Sequence, residues 1–194
     1  VLSIGALAGD NEVGVQFNER LDPITAQDPS KYDVNGVPPT AAVLLGAEQR
    51  LVRLTVASNP AAGFSVSING VTDLAGNPLN TTVAGGTLSP FIAADIGDPG
   101  VDPLLAGNAF FYGDGGYYIA GGGHDIWDSA DGFHYVYQQW TGSFDAVVNV
   151  RSISGPSTWA KAAIMCREDL TAGSRHTDAV ATPEEGVNVF NMQW

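Results

Sequence analysis

Asp125, Asp128 and Asp131 recur at intervals of three in the stretch GGGHDIWDSADGFHYVYQQ (121–139), with Asp114 and His124 nearby in the chain. Oxygen-rich turns hold Ca2+ when enough ligands converge, so Asp114, Asp125, Asp128 and Asp131 are the candidate metal ligands and Ca2+ the candidate ion. Their spacing is not the D-x-D-x-D-G of a helix-loop-helix calcium loop, and carboxylates in turns commonly accept hydrogen bonds from their own backbone instead. His124, His134 and His176 all fall in the second half. No two share a strand face or a helix turn, which argues against a transition-metal centre.

Stacking is the second chemistry. Trp127, Trp140, Trp159, Tyr117 and Tyr118 can build a flat platform for the C–H face of a sugar ring, with Asp and Asn fixing its hydroxyls. Each aromatic has a competing use as core filling, and Trp127, set in a polar turn, is the least core-like. Hydrolysis is the third. A glycosidase needs two carboxylates facing each other across a cleft, whereas Glu168-Asp169 and Glu184-Glu185 are neighbours whose side chains point to opposite faces of a strand. No G-x-S-x-G elbow occurs, and the glycine runs precede a strand rather than a helix, so they do not cradle phosphate. No catalytic residue is expected.

The elements that must position these groups are strands. Charged residues make up only 15% of the 194 residues, while Gly numbers 24 and Pro 11, a balance of short strands and many turns. No window keeps a 3.6-residue period, so the fold class is all-β, with length enough for two sandwiches in tandem. A net charge of −13 without a Lys/Arg cluster excludes nucleic acid and anionic membranes as partners and suits cations, neutral glycans or another protein. No apolar run is long enough to span a bilayer. The single cysteine, Cys166, rules out an internal disulfide framework. It shares a face with Ala160, Ala162 and Ile164 and is expected to be buried. Val1 begins almost in a strand and Trp194 ends inside one, so the chain reads as a piece of something longer.

Residues 1–88 alternate as strands do: Val13, Val15 and Phe17 against Gly14 and Gln16; Val52, Leu54 and Val56 against Arg53 and Thr55; Phe64, Val66 and Ile68 against Ser65 and Ser67. Asn18, Asp22-Pro23, Asp28-Pro29, Asn35-Gly36 and Asn59-Pro60 separate them with turn chemistry. VQFNERLDP (15–23), Ser30-Lys31-Tyr32 and GVTDLAGNPL (70–79) resemble the bacterial Ig-like domains repeated in large surface and secreted proteins. The resemblance implies an Ig-like sandwich that serves as a spacer or presentation module and carries no chemistry, with T-D-L-A-G-N-P-L as a tight polar turn before the last strand.

Residues 89–100, with Pro90, Gly97, Pro99 and Gly100, read as a short linker that holds two domains close. Beyond it, 109–112, 116–120, 133–140, 144–153, 159–168, 176–181 and 186–194 are the expected strands of a second domain, 101–194. There GGHDIW (122–127), ADGFHYVYQ (130–138), WAKA (159–162), Arg167-Glu168 and GSRH (173–176) resemble the concanavalin A-like β-sandwich modules of secreted bacterial polysaccharide-active and surface proteins. Such modules are about twice as long, so the resemblance implies the N-terminal part of a jelly roll with exposed strand edges. Neither Glu run reproduces the E-x-D-x-x-E pattern of hydrolases on this architecture.

The expected function is that of a non-catalytic extracellular or cell-surface module that binds polysaccharide or adheres. The alternative is a structural subunit of a surface layer or filament, assembling through exposed strand edges as a homo-oligomer or within a larger parent chain.

Overall fold

The computed structural model describes residues 1–79, 82–97, 106–127, 129–155 and 157–183, and the backbone of Val189–Gln193. The described residues are all-β apart from one short helix, α1 (Pro23–Ala26), and a 3-10 turn at Pro29–Lys31. Both open on an aspartate. The side chains of Asp22 and Asp28 accept from the backbone N–H groups of Ile24 and Ser30, and a proline follows each, where no N–H is needed.

Eight strands build a two-sheet sandwich. They are β1 (Ser3–Leu7), β2 (Glu12–Gln16), β3 (Tyr32–Val34), β4 (Ala41–Leu45), β5 (Leu51–Thr55), β6 (Ser65–Ile68), β7 (Thr82–Gly85) and β8 (Thr87–Ser89). One sheet runs β4-β5-β2-β1-β8 and the other β3-β6-β7. The alternating residues meet between them: Ile4, Ala6, Val13, Val15, Val52 and Leu54 from one sheet pack on Tyr32, Val34, Val66 and Ile68 from the other. Burial of these side chains is what drives the sandwich together. The chain changes sheets at Gly86, between β7 on β6 and β8 running parallel to β1. A β-carbon at Gly86 would lie 2.1 Å from the Phe64 ring, so the crossing depends on having none.

Two polar features lock the sandwich. The Tyr32 hydroxyl, buried, donates to the Ala26 carbonyl at 2.9 Å. Tyr32→Phe is therefore expected to cost about 1 kcal/mol in urea unfolding, because the Ala26 carbonyl is left without its donor; an unchanged midpoint would place that carbonyl in contact with water. The Asp73 carboxylate accepts from the N–H groups of Ala75 and Asn77 and from the Asn77 amide, and Gly76 takes a positive φ of 83°. This is the tight polar turn expected of T-D-L-A-G-N-P-L. Its hydrogen bonds hold the Asp73 carboxyl below its ordinary value.

Past β8 the described residues form three small sheets from β9 (Ile92–Ile96), β10 (Asn108–Phe111), β11 (Tyr117–Ala120), β12 (Phe133–Tyr137), β13 (Ala162–Arg167), β14 (His176–Ala181) and β15 (Val189–Gln193). They are the hairpin β10-β11, the pair β9-β12, and β13-β14-β15. The stretch expected as a linker thus carries the end of β8 and all of β9, its remainder from residue 98 lying outside the described residues. β9 is held because Phe133 to Tyr137 pair with Ile96 to Ile92 along their whole length.

Strand β10 lies on the outer face of β1 and β2. Gly5 and Gly14 present bare backbone there: a β-carbon at Gly14 would sit 2.5 Å from Tyr112 Cβ and 2.8 Å from the Phe111 carbonyl oxygen, and one at Gly5 2.4 Å from the Phe111 ring. Leu7, outward-facing on β1, packs with Ala109, Phe111, Phe91, Tyr117 and Val136 in a second apolar cluster. Arg53 pins the contact, ion-paired to buried Glu12 at 3.5 Å and donating to the Asn108 side-chain oxygen at 3.2 Å. Burial raises the Glu12 carboxyl above its ordinary value, and Arg53 offsets part of the rise.

The largest departure from expectation is residues 144–153, which form no strand. Likewise β12 stops at Tyr137, short of the expected Trp140. Alternation gives this segment two faces, but among the described residues no neighbouring strand takes up its backbone groups.

Candidate functional site

The aromatic strand β12 is the centre of the second half. On one face His134 Nδ1 and Asp95 Oδ1 lie 2.7 Å apart, and the same oxygen accepts the Gly107 N–H. On the other, Phe133, Tyr135 and Tyr137 follow one another along the strand, Phe133 edge-on to Tyr135 at 5.7 Å and Tyr135 stacked on Tyr137 at 5.3 Å between ring centres. The Tyr135 hydroxyl donates to the Met165 carbonyl, tying β12 to β13. Burial raises the Tyr135 phenol above its ordinary value.

Beneath these rings lies a buried charged cluster. Asp131 Oδ2 is 3.4 Å from Arg167 Nη1 and 3.4 Å from His176 Nδ1, and the Asp131 and Arg167 side chains are each only 2% exposed. Arg167 also donates to the Asp169 and Thr171 carbonyls, at 2.7 and 2.6 Å, and its guanidinium covers the Phe133 ring at 5.2 Å. One side chain thereby closes the β13–β14 turn and joins it to the segment before β12. Asp178, on the same face of β14 as His176, is buried with Oδ1 unpartnered.

Burial raises the Asp178 carboxyl above its ordinary value; His176 opposes the rise and Asp131 adds to it. A carboxyl raised by folding holds its proton more tightly folded than unfolded. Stability is therefore lost as pH climbs from the ordinary carboxylate range through the raised value. Asp178→Asn removes that loss and is expected to melt above the parent protein near neutral pH, with the margin closing toward about pH 4. A variant melting lower near neutral pH would show that the carboxylate is satisfied after all.

The carboxylates proposed from sequence as metal ligands go different ways. Asp125 pairs with Lys161, and Asp131 belongs to the buried cluster. Asp114 sits at positive φ (49°) in the β10–β11 turn. Asp128 lies outside the described residues. Among the described residues no three His, Cys, Asp or Glu side chains converge as a metal site.

The five platform aromatics also separate. Trp127, Trp140 and Trp159 are exposed, at 61%, 62% and 61%. Tyr117 and Tyr118 instead serve the packing between the halves: Tyr117 shares a 2.7 Å hydrogen bond with Ser89 and leans on Phe91 and Phe111, and Tyr118 stacks on Phe110 at 5.3 Å. Cys166 is exposed, against expectation, because Met165 and Arg167 take the inward face of β13. Glu168 is ion-paired across the turn to Arg175, and the Asp169 carboxylate accepts from the Thr171 N–H and hydroxyl. Glu184 and Glu185 lie outside the described residues.

Sequence reasoning missed two features. The Asp131–Arg167–His176 cluster joins residues far apart in the chain, and the only early sign of it was a basic residue beside the expected β13–β14 turn. The other is an exposed arm. Every residue from Gln138 to Ser152 is exposed, including Phe144 (52%), Val147 (97%), Val148 (55%) and Val150 (38%). Monomeric proteins rarely leave a contiguous apolar stretch of this kind in water.

The geometry defines an all-β protein whose polar clusters hold its sheets together and whose accessible special surface is apolar and aromatic. No helix among the described residues is long and apolar enough to cross a membrane. No family model matches the chain, and no curated protein matches it. Among solved structures, the crystal structure of the N-terminal part of the bacterial S-layer protein SbsC aligns with 97% of this chain at a TM-score of 0.41 and 18% identity. This chain spans 42% of that one's length, and a likeness of that size assigns neither family nor role.

Proposed function

We propose that this chain is a non-catalytic structural module of a bacterial extracellular or cell-surface protein, joined to other protein chains through the arm at 138–155. The observation that carries this reading is the arm itself, with Phe144, Val147, Val148 and Val150 in solvent on a segment whose sequence alternates like a strand. A segment with a strand's alternation but no neighbouring strand can complete its backbone hydrogen bonds by adding to another chain's sheet. The Ig-like and concanavalin A-like resemblances of the two halves support the surface setting.

A second reading has its own observation. Trp127, Trp140 and Trp159 are exposed aromatics of the kind that stack on sugar rings. Affinity gels cast with polysaccharides, run beside light scattering over a concentration series, separate the two. Unretarded migration with mass rising with concentration is expected. Retardation by a polysaccharide, abolished in Trp127→Ala, Trp140→Ala or Trp159→Ala, would replace the structural reading with glycan binding.

A further inference from the structure

The arm's partner can be read from its charge. Between Gln138 and Gly155 the charged residues are Asp145 and Arg151 alone, one of each sign, so the arm is neutral in a chain of net charge −13 and two copies that meet there bring no net like charge to the contact. Both side chains are exposed, and neither enters an ion pair among the described residues. They stand equally far on either side of Val148.

We propose that the arm pairs with the same arm of a second copy, antiparallel and centred on Val148. This rests on the assembly reading above and specifies its partner. In that register Asp145 faces Arg151 of the other copy twice over, Ala146 faces Val150, and Val148 faces itself across the two-fold axis. A parallel arrangement sets Asp145 against Asp145 and Arg151 against Arg151, which opposes pairing. Any other antiparallel register leaves both charges unmatched. Because side chains alternate, Phe144, Ala146, Val148 and Val150 fall on one face and form a continuous apolar stripe with their copies. The contact is isologous and closes as a dimer. A single strand pair is a small interface, so self-association is expected at concentrations on the order of tens of micromolar.

Charge reversal tests the register without touching the core. Sedimentation equilibrium on the full chain should show a monomer–dimer equilibrium. Asp145→Arg alone and Arg151→Asp alone each turn two attractions into two repulsions and should weaken it roughly ten- to thirtyfold. Mixing the two single variants restores opposite charges at both positions and should recover dimer as a heterodimer, as should the double variant D145R/R151D on its own. Association that is concentration-dependent but indifferent to both reversals overturns this self-pairing while leaving assembly through another contact standing. A monomer at every concentration overturns the self-pairing, and leaves the assembly reading only in the form in which the arm adds to the sheet of a different chain.

Discussion

Arg167→Met is expected to destabilise the β13–β14 region by about 3–5 kcal/mol, the cost of breaking a buried ion pair from one side. The replacement keeps an unbranched apolar stem and removes the guanidinium. Asp131, 2% exposed at its side chain, then loses its guanidinium partner and is left beside His176 at 3.4 Å. The Asp169 and Thr171 carbonyls lose the donors that close the turn. Hydrogen exchange is the suitable measurement, since it reads the amides of β13 and β14 apart from those of the first sandwich. Arg167→Lys should fall between, because an ammonium restores charge but not the planar fork that reaches the carboxylate and two carbonyls at once. Adding Asp131→Asn to Arg167→Met should return part of the loss, because the stranded carboxylate is then gone. A loss below about 1 kcal/mol for Arg167→Met would mean that water reaches the cluster and screens it.

Gly14→Val is expected to cost about 2–3 kcal/mol, of the order of an overpacked core, and its sign is what makes it informative. Valine suits a strand better than glycine, so β2 within the first sandwich alone would gain from the change. The opposite follows once β10 lies on that face, because the new β-carbon meets Tyr112 Cβ and the Phe111 carbonyl. The hairpin must lift, exposing Leu7, Ala109 and Phe111 and opening the Arg53–Asn108 contact. Amides of β10 and β11 should then exchange much faster, while those of β3, β6 and β7 hold their protection. Gly85→Val, on a strand where a β-carbon meets nothing within 4 Å, is the control and should be near neutral. A stabilised Gly14→Val protein would show that β10 does not sit on β1 and β2 in solution.

These two residues also mark the limit of reading the chain from its order alone. Gly14 appears in the sequence as the polar-side partner of Val13 and Val15, which places it correctly on the outer face of β2. Nothing local says that another strand will lie against that face. Arg167 and Asp131 are thirty-six positions apart, and their pairing depends on how β12 is laid over β13. Tyr117 and Tyr118 carry the same chemistry whether they stack on a ligand or on Phe111 and Phe110. Their contacts with Ser89, Phe91, Phe110 and Phe111 follow from where β10 and β11 lie, which the local sequence does not show.

The order of residues by itself determined the all-β class, the alternation that became β2, β5, β6 and β12, and the aspartate-led turns at Asp22, Asp28 and Asp73. Those properties are local: side-chain branching, the period of two and hydrogen bonds within a few residues suffice for them. Tertiary structure decided which face of each strand is covered, so Cys166 turned outward and Arg167 inward. It decided that 92–96 is a strand and that 144–153 is an arm with no strand beside it among the described residues. A strand's hydrogen bonds all go to other segments, so a sequence can show that a stretch is fit to be a strand, while only the assembled chain shows whether a partner lies beside it.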